Sequence, residues 1–197
     1  MSWIEDFLDD GPDYAAERRS VAEMQALLLK AGLGAKLPLG HAQDFAGMAD
    51  LLMSDPTLFA VGTAALEADH VPVLSEGTAE HMVIDKARIA MAAPALVDAL
   101  VCGAARVVLH DLDWPQLLWP VLLRAERVYG ITTEFHRPDA KTVMVSKAVR
   151  GLKPLGDPQP VPLVPLARLQ DLAAKTFVPS TEASRRSGAG AGLQDND

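Results

Sequence analysis

Cysteine is all but missing from this chain: Cys102 is the only one in 197 residues, which excludes a disulfide framework and a thiolate metal cage. Basic residues are scarce too, 18 Lys and Arg against 26 Asp and Glu, for a formal net charge of -8. Neutralising a phosphate backbone needs a basic face, so nucleic acid is excluded as a partner. No apolar run is long enough to span a bilayer. The start, Met1-Ser2-Trp3-Ile4-Glu5-Asp6, lacks the basic opening and apolar stretch of a secretory signal. Nucleophile motifs, phosphate-binding loops and nucleic-acid modules are missing as well. The expectation is a cytoplasmic protein that meets neither membrane nor nucleic acid and carries no cofactor. What the chain does have is 49% apolar and 22% charged residues, an ordinary balance with enough apolar material for a real core. Cys102, closing the apolar run that starts at Leu96, reads as a buried thiol in a reducing compartment.

Punctuation divides the chain. Residues 1–17 carry six acids and no base. There Trp3, Ile4, Phe7 and Leu8 are spaced as one amphipathic turn, either an arm docking on an apolar edge or a frayed end. Residues 18–70 read as a helical unit. Ser20 with Glu23 is a capping-box pattern, and Val21, Met24, Leu27, Leu28 and Ala31 recur at helical spacing until Gly32 and Gly34. A second helix starts after Pro38 with Leu39, Ala42, Phe45, Ala46, Ala49 and Leu52, and Asp55-Pro56 starts a third.

Residues 71–150 read as an α/β unit. After a loop-like Val71–Thr78, short strands are expected at 81–85 and 106–110, with a helix from Pro94 to Cys102 between them. Asp113 with Gln116 reads as the cap of a helix showing Trp114, Leu117, Leu118, Val121, Leu122, Ala125 and Val128 on one side until Gly130. A hairpin over 131–148 places Ile131, Thr133 and Phe135 on one face, pairing Phe135 with Val143 and Thr133 with Val145 across a turn at Pro138-Asp139-Ala140. Its other face carries Thr132, Glu134, His136, Thr142, Met144 and Ser146, a set polar enough to be either solvent-facing or a site. Residues 151–179 comprise a crossover with five prolines between Gly151 and Pro165 and a short helix from Leu166 to Thr176; proline at that density is expected to forbid both helix and central strand up to Pro165. The fold class expected is α+β, or α/β: a helical unit, then a small mixed sheet packed by two helices.

Candidate chemistry concentrates where a strand hands over to a helix, the place where open α/β sheets hold ligands. His110 could serve there as acid and base with Asp111 orienting it, and Glu134 and His136, two apart on one strand, could complete the site; which metal, if any, such a set would hold is open. Asp113 is already accounted for as a cap. His81 and Asp85 share a strand face, and His41 at a helix start offers an anion position. Each of these also has an ordinary account as a solvated residue.

The tail, residues 180–197, has too little apolar area to drive its own burial. Arg185 and Arg186 precede the alternating glycines Gly188, Gly190 and Gly192, and the run ends at Asp197. Such a backbone is either loose or built to lie against something. A phosphate cradle is disfavoured because no strand leads into the glycines; insertion into a groove on another subunit is the functional alternative. The segment Thr176–Asp197 resembles the terminal motif of an uncharacterised bacterial domain-of-unknown-function family. Ala31-Gly32-Leu33 through Leu39-Gly40-His41-Ala42 is similar to that family's first helical hairpin, with His41 and Gln43 departing from its more acidic pattern. The resemblance supplies no activity and implies that the tail is used. Two functions follow as expectations: a non-catalytic interaction module, self-associating or docking on a protein partner through its tail, and, as the alternative, a small-molecule hydrolase or lyase built on His110, Asp111, Glu134 and His136.

Overall fold

The acidic arm docks. In the structure, a computed structural model that describes residues 3–9, 15–69, 74–78 and 80–176, Trp3–Asp9 form helix α1 and bury Ile4 and Phe7. Ala16–Glu17 form a short strand, β1. Helix α2, Val21–Gly34, opens with the expected capping box: the Ser20 hydroxyl accepts from the Glu23 N–H at 3.2 Å, and the Glu23 carboxylate accepts from the Ser20 N–H at 2.9 Å. Met24, Leu28 and Ala31 are its buried side. The helix passes Gly32 and ends at Gly34, as the two glycines signalled, and each is a point of close approach. A Cβ on Gly32 would stand 3.0 Å from the Ala42 Cβ, and one on Gly34 would overlap the Leu172 carbonyl.

Helices α3, Leu39–Ala46, and α4, Ala49–Leu52, form the next turns, and α5, Pro56–Glu67, is capped by the Asp55 carboxylate, which accepts from the N–H groups of Thr57 and Leu58. α5 buries eight consecutive residues from Phe59 to Leu66 because α1, the sheet-side helices and the C-terminal helix surround it.

The sheet has five strands in the order β2-β3-β4-β6-β5. β3, His81–Asp85, and β4, Arg106–His110, match the ranges expected; they are parallel and joined by helix α6, Ile89–Val101, in a βαβ unit. β2, Leu74–Gly77, lies in the stretch expected to be loop. It pairs antiparallel with β3, and only that partner makes so short a polar segment a strand. α6 starts five residues before Pro94, which lies inside it. Cys102 is exposed rather than buried: helical periodicity puts Leu96 and Leu100 inside and leaves Asp98, Val101 and Cys102 outside.

Asp113 does not cap the helix that follows it. Trp114 takes a left-handed conformation with φ 44°, Pro115–Leu117 form a 3-10 turn, and α7 runs Leu118–Tyr129. Leu118, Val121, Leu122 and Ala125 are buried as expected, together with Pro120 and Leu123, whereas Val128 is 55% exposed and Trp114 lies ahead of the helix, half-buried. Gly130, at φ 69°, ends it in the left-handed conformation glycine favours. Trp119 of α7 meets Phe135 edge-on at 5.9 Å, locking the helix to the sheet.

The hairpin of β5, Thr133–His136, and β6, Thr142–Lys147, pairs Phe135 with Val145 and Thr133 with Lys147, two residues away from the expected register. The cause is Asp139, whose carboxylate accepts from the N–H groups of Lys141 and Thr142, both at 2.8 Å, and so widens the turn. A shift of two preserves the faces. Beyond the sheet, Val161–Pro162 form β7 against β1, and α8 spans Leu163–Ala174, starting three residues earlier than expected because Pro165 falls in its first turn, where no N–H is needed.

One continuous core reaches from Ile4 through the sheet to Ala173. Within it the Thr133 hydroxyl, on a residue 1% exposed, has no partner among the described residues. Thr133→Val is therefore expected to raise stability by about 1 kcal/mol, because an isosteric methyl removes an uncompensated desolvation cost; urea unfolding measures it.

Candidate functional site

The two faces of the sheet differ sharply. Strand alternation sends Ile84, Val107, Leu109, Val143 and Val145 into the core, all buried. The opposite face, which carries Glu76, His81, Val83, Asp85, Arg106, Val108, His110, Glu134, His136, Thr142, Met144 and Ser146, holds none of these as a fully buried side chain. Register sets these residues in rows. Val83 pairs with Val108, Val108 with Met144, and Met144 with His136, so an apolar line crosses three strands and ends on an imidazole. Beside it His81 pairs with Arg106, Arg106 with Ser146, and Ser146 with Glu134. Val83, Val108 and Met144 are half-buried yet lie outside the hydrophobic core.

His110, Glu134 and His136 thus share this face but not a strand. His110 is on β4; Glu134 and His136 are exposed on β5, with β6 between. Two inter-strand steps put β4 and β5 about 9.6 Å apart. Among the described residues no group of three His, Cys, Asp or Glu is placed to hold a metal ion. The His110 Nδ1 lies 3.3 Å from the Thr142 hydroxyl. Asp111 is exposed at φ 48°, its N–H donating to the Lys141 carbonyl at 2.7 Å. Arg106, Val83 and Val108 carry as much of the face as any expected residue. Alternation continued from β6 into β4 and β3 was the signal for them, but it needs strand order. The tail residues Arg185, Arg186, Gly188, Gly190, Gly192 and Asp197 lie outside the described residues.

No family model matches the chain, and no curated protein or solved structure is significantly similar to it. The site stands on its geometry.

At the carboxyl ends of β3 and β4, Asp113 joins the two strand-to-helix loops. Its carboxylate accepts from the Ile89 N–H at 2.6 Å and lies 3.8 Å from Arg88, and its own N–H donates to the Ala87 carbonyl. The chain's own carboxylate thus occupies the N-terminus of α6, the position an anionic ligand would take. His41 lines a cleft between α3, α6 and α7 with Phe45, Pro94, Val97, Val121 and Arg124. Its volume, about 30 Å³, suits a water or two rather than a substrate. Arg124 pairs with Asp44 at 3.1 Å beside Gly47, where a Cβ would strike its guanidinium.

At the hairpin tip the Lys141 N–H, then Thr142, hold the Asp139 carboxyl below its ordinary value of 3.8. A depressed folded value means the contribution is complete above 3.8 and is lost as pH falls through the lower folded value. The amides of Lys141 and Thr142 are therefore expected to lose hydrogen-exchange protection on acidification below that point before the core strands do. Asp139→Asn should abolish this acid step.

Proposed function

We propose that this protein is a non-catalytic interaction module whose contact surface is the open face of its five-stranded sheet. The observation that carries the reading is the contrast between the two faces: the half-buried line Val83, Val108 and Met144 sits outside the core, rimmed by His81, Arg106, Glu134 and His136. An apolar centre with a polar rim is the anatomy of a protein-binding patch. A catalytic reading asks His110, Glu134 and His136 to converge, and the strand between them holds them apart. The Gly-rich tail is a second contact element in this reading, its arginines Arg185 and Arg186 and the glycines after them laid along a partner's backbone. A cytoplasmic location fits the net charge of -8 and the single, exposed Cys102.

The test is affinity capture from the cells that make the protein, with three baits: the full chain, Met144→Glu, and a chain ending at Arg186. Met144 is on the surface of the sheet, so the variant should keep its circular dichroism and melting temperature. Partners held by the full chain and lost on Met144→Glu support the reading. Identical capture by the full chain and Met144→Glu ends it, and identical capture by the truncated bait ends the part given to the tail.

A further inference from the structure

We infer that the occupant of the open face is a second copy of the same chain, turned about a twofold axis that runs along the strands between β4 and β6. This rests on the reading of the face as a contact surface and adds the partner to it.

Charge is the first reason. The protein is acidic, at -8, and on this face Arg106 of β4 stands with the carboxylates of Glu76 on β2, Asp85 on β3 and Glu134 on β5, and with His81, His110 and His136. The cation and the acids lie on different strands, so turning one copy over brings opposite signs together and offsets part of the repulsion between two acidic molecules. The second reason is the order of the charges. Along the row set by register, His81 and Arg106 stand on β3 and β4 and Glu134 stands on β5, with Ser146 between. The row is thus basic at one end and acidic at the other. Turning the face over about the proposed axis sets β3 against β5 and β4 against β6. Glu134 of each copy then meets the His81 and Arg106 side of the other, and Val108 of each meets Met144 of the other. A twofold interface must be self-complementary in this way.

The third reason is that neither Arg106 nor Glu134 makes an ion pair or side-chain hydrogen bond among the described residues. Both are exposed, so both remain to be paired across the interface. Size sets the strength. Five strands at about 4.8 Å spacing and roughly 16 Å of strand length give a face on the order of 400 Å² per copy. Two such faces, about 800 Å² together, fall short of a standard specific interface and place this contact among weak, transient ones. The dimer is therefore weak and reversible, and its population depends on concentration.

Sedimentation velocity on purified full-length protein from 1 to 200 µM tests this, with Glu134→Arg, Arg106→Glu and the double variant run alongside and melting temperatures checked for each. The wild-type mass should climb from 21.0 kDa toward twice that value as concentration rises. Each single reversal should raise the dissociation constant at least tenfold, and the double variant should recover most of the wild-type affinity. Wild-type protein that stays monomeric overturns the inference. So does a dimer indifferent to the reversals, or a double variant no tighter than the singles, since both place the contact elsewhere. If self-pairing fails while Met144→Glu still loses a captured protein, the contact surface stands and only its occupant is wrong; if capture is unchanged as well, both fail.

Discussion

Gly34→Ala is expected to lower the stability of this protein by about 3 kcal/mol, near the upper limit for a single added methyl group in a packed interior. In a chain of this length that is a fall of about 10 °C in melting temperature. Alanine is the better helix former, so propensity alone predicts a gain. Packing reverses the sign. Gly34 ends α2 directly over α8, and a Cβ there would overlap the Leu172 carbonyl oxygen and lie 2.8 Å from its carbon. Both are backbone atoms, so no rotamer change relieves the clash; α2 and α8 must separate along their shared side. Gly40 is the control. It also lies in a helix, and a Cβ there would meet nothing within 4 Å. Gly40→Ala should be neutral or slightly stabilising. Thermal unfolding of the pair decides it: equal responses would mean that α2 and α8 do not approach this closely.

Asp113→Ala is expected to cost about 2 kcal/mol. Its carboxylate, 12% exposed as a side chain, satisfies the Ile89 N–H at the start of α6 from 24 residues away. Its removal leaves a partly buried donor without a partner and costs at least as much as losing a helix cap. Asp113→Asn keeps an acceptor oxygen and should recover roughly half of the loss. The variants also report on structure. Amide exchange should speed at Ile89 and Ala90 in Asp113→Ala while the first turn of α7, which follows Asp113 in sequence, is unaffected. The opposite pattern would restore Asp113 to a local cap.

The two positions illustrate what could and could not be read in the chain. Ser20 with Glu23 and Asp55 with Pro56 marked helix starts because the hydrogen bonds they make are closed within three residues. The same logic misled at Asp113 with Gln116, where the spacing is right but the nearest free N–H belongs to another helix. Gly32 and Gly34 marked the end of α2, which closes at Gly34, but their close approach to Ala42 and Leu172 is a tertiary contact that local spacing does not carry. For the candidate site, alternation placed Glu134, His136, Thr142, Met144 and Ser146 on one face correctly, since a strand's period of two does not depend on its partner. That His110 shares the face, and that β6 holds it away from Glu134 and His136, could not be read. Strand order is set by the crossover of α6 and by the hairpin, not by any residue of β4.

The sequence by itself narrowed the fold to α+β or α/β and determined the capped starts of α2 and α5, the extended run through most of the prolines, and the ranges of β3 and β4. All of these rest on interactions or periodicities spanning a few residues. The tertiary structure alone decided that the arm docks through Ile4 and Phe7, that β2 is a strand, that β1 pairs with β7 across more than 140 residues of chain, that the hairpin slips by two, that Cys102 faces outward, and that one face of the sheet is left uncovered by the described residues. Each of these depends on which distant segment supplies the second half of a hydrogen bond or of an apolar contact, and a one-dimensional pattern holds only the first half.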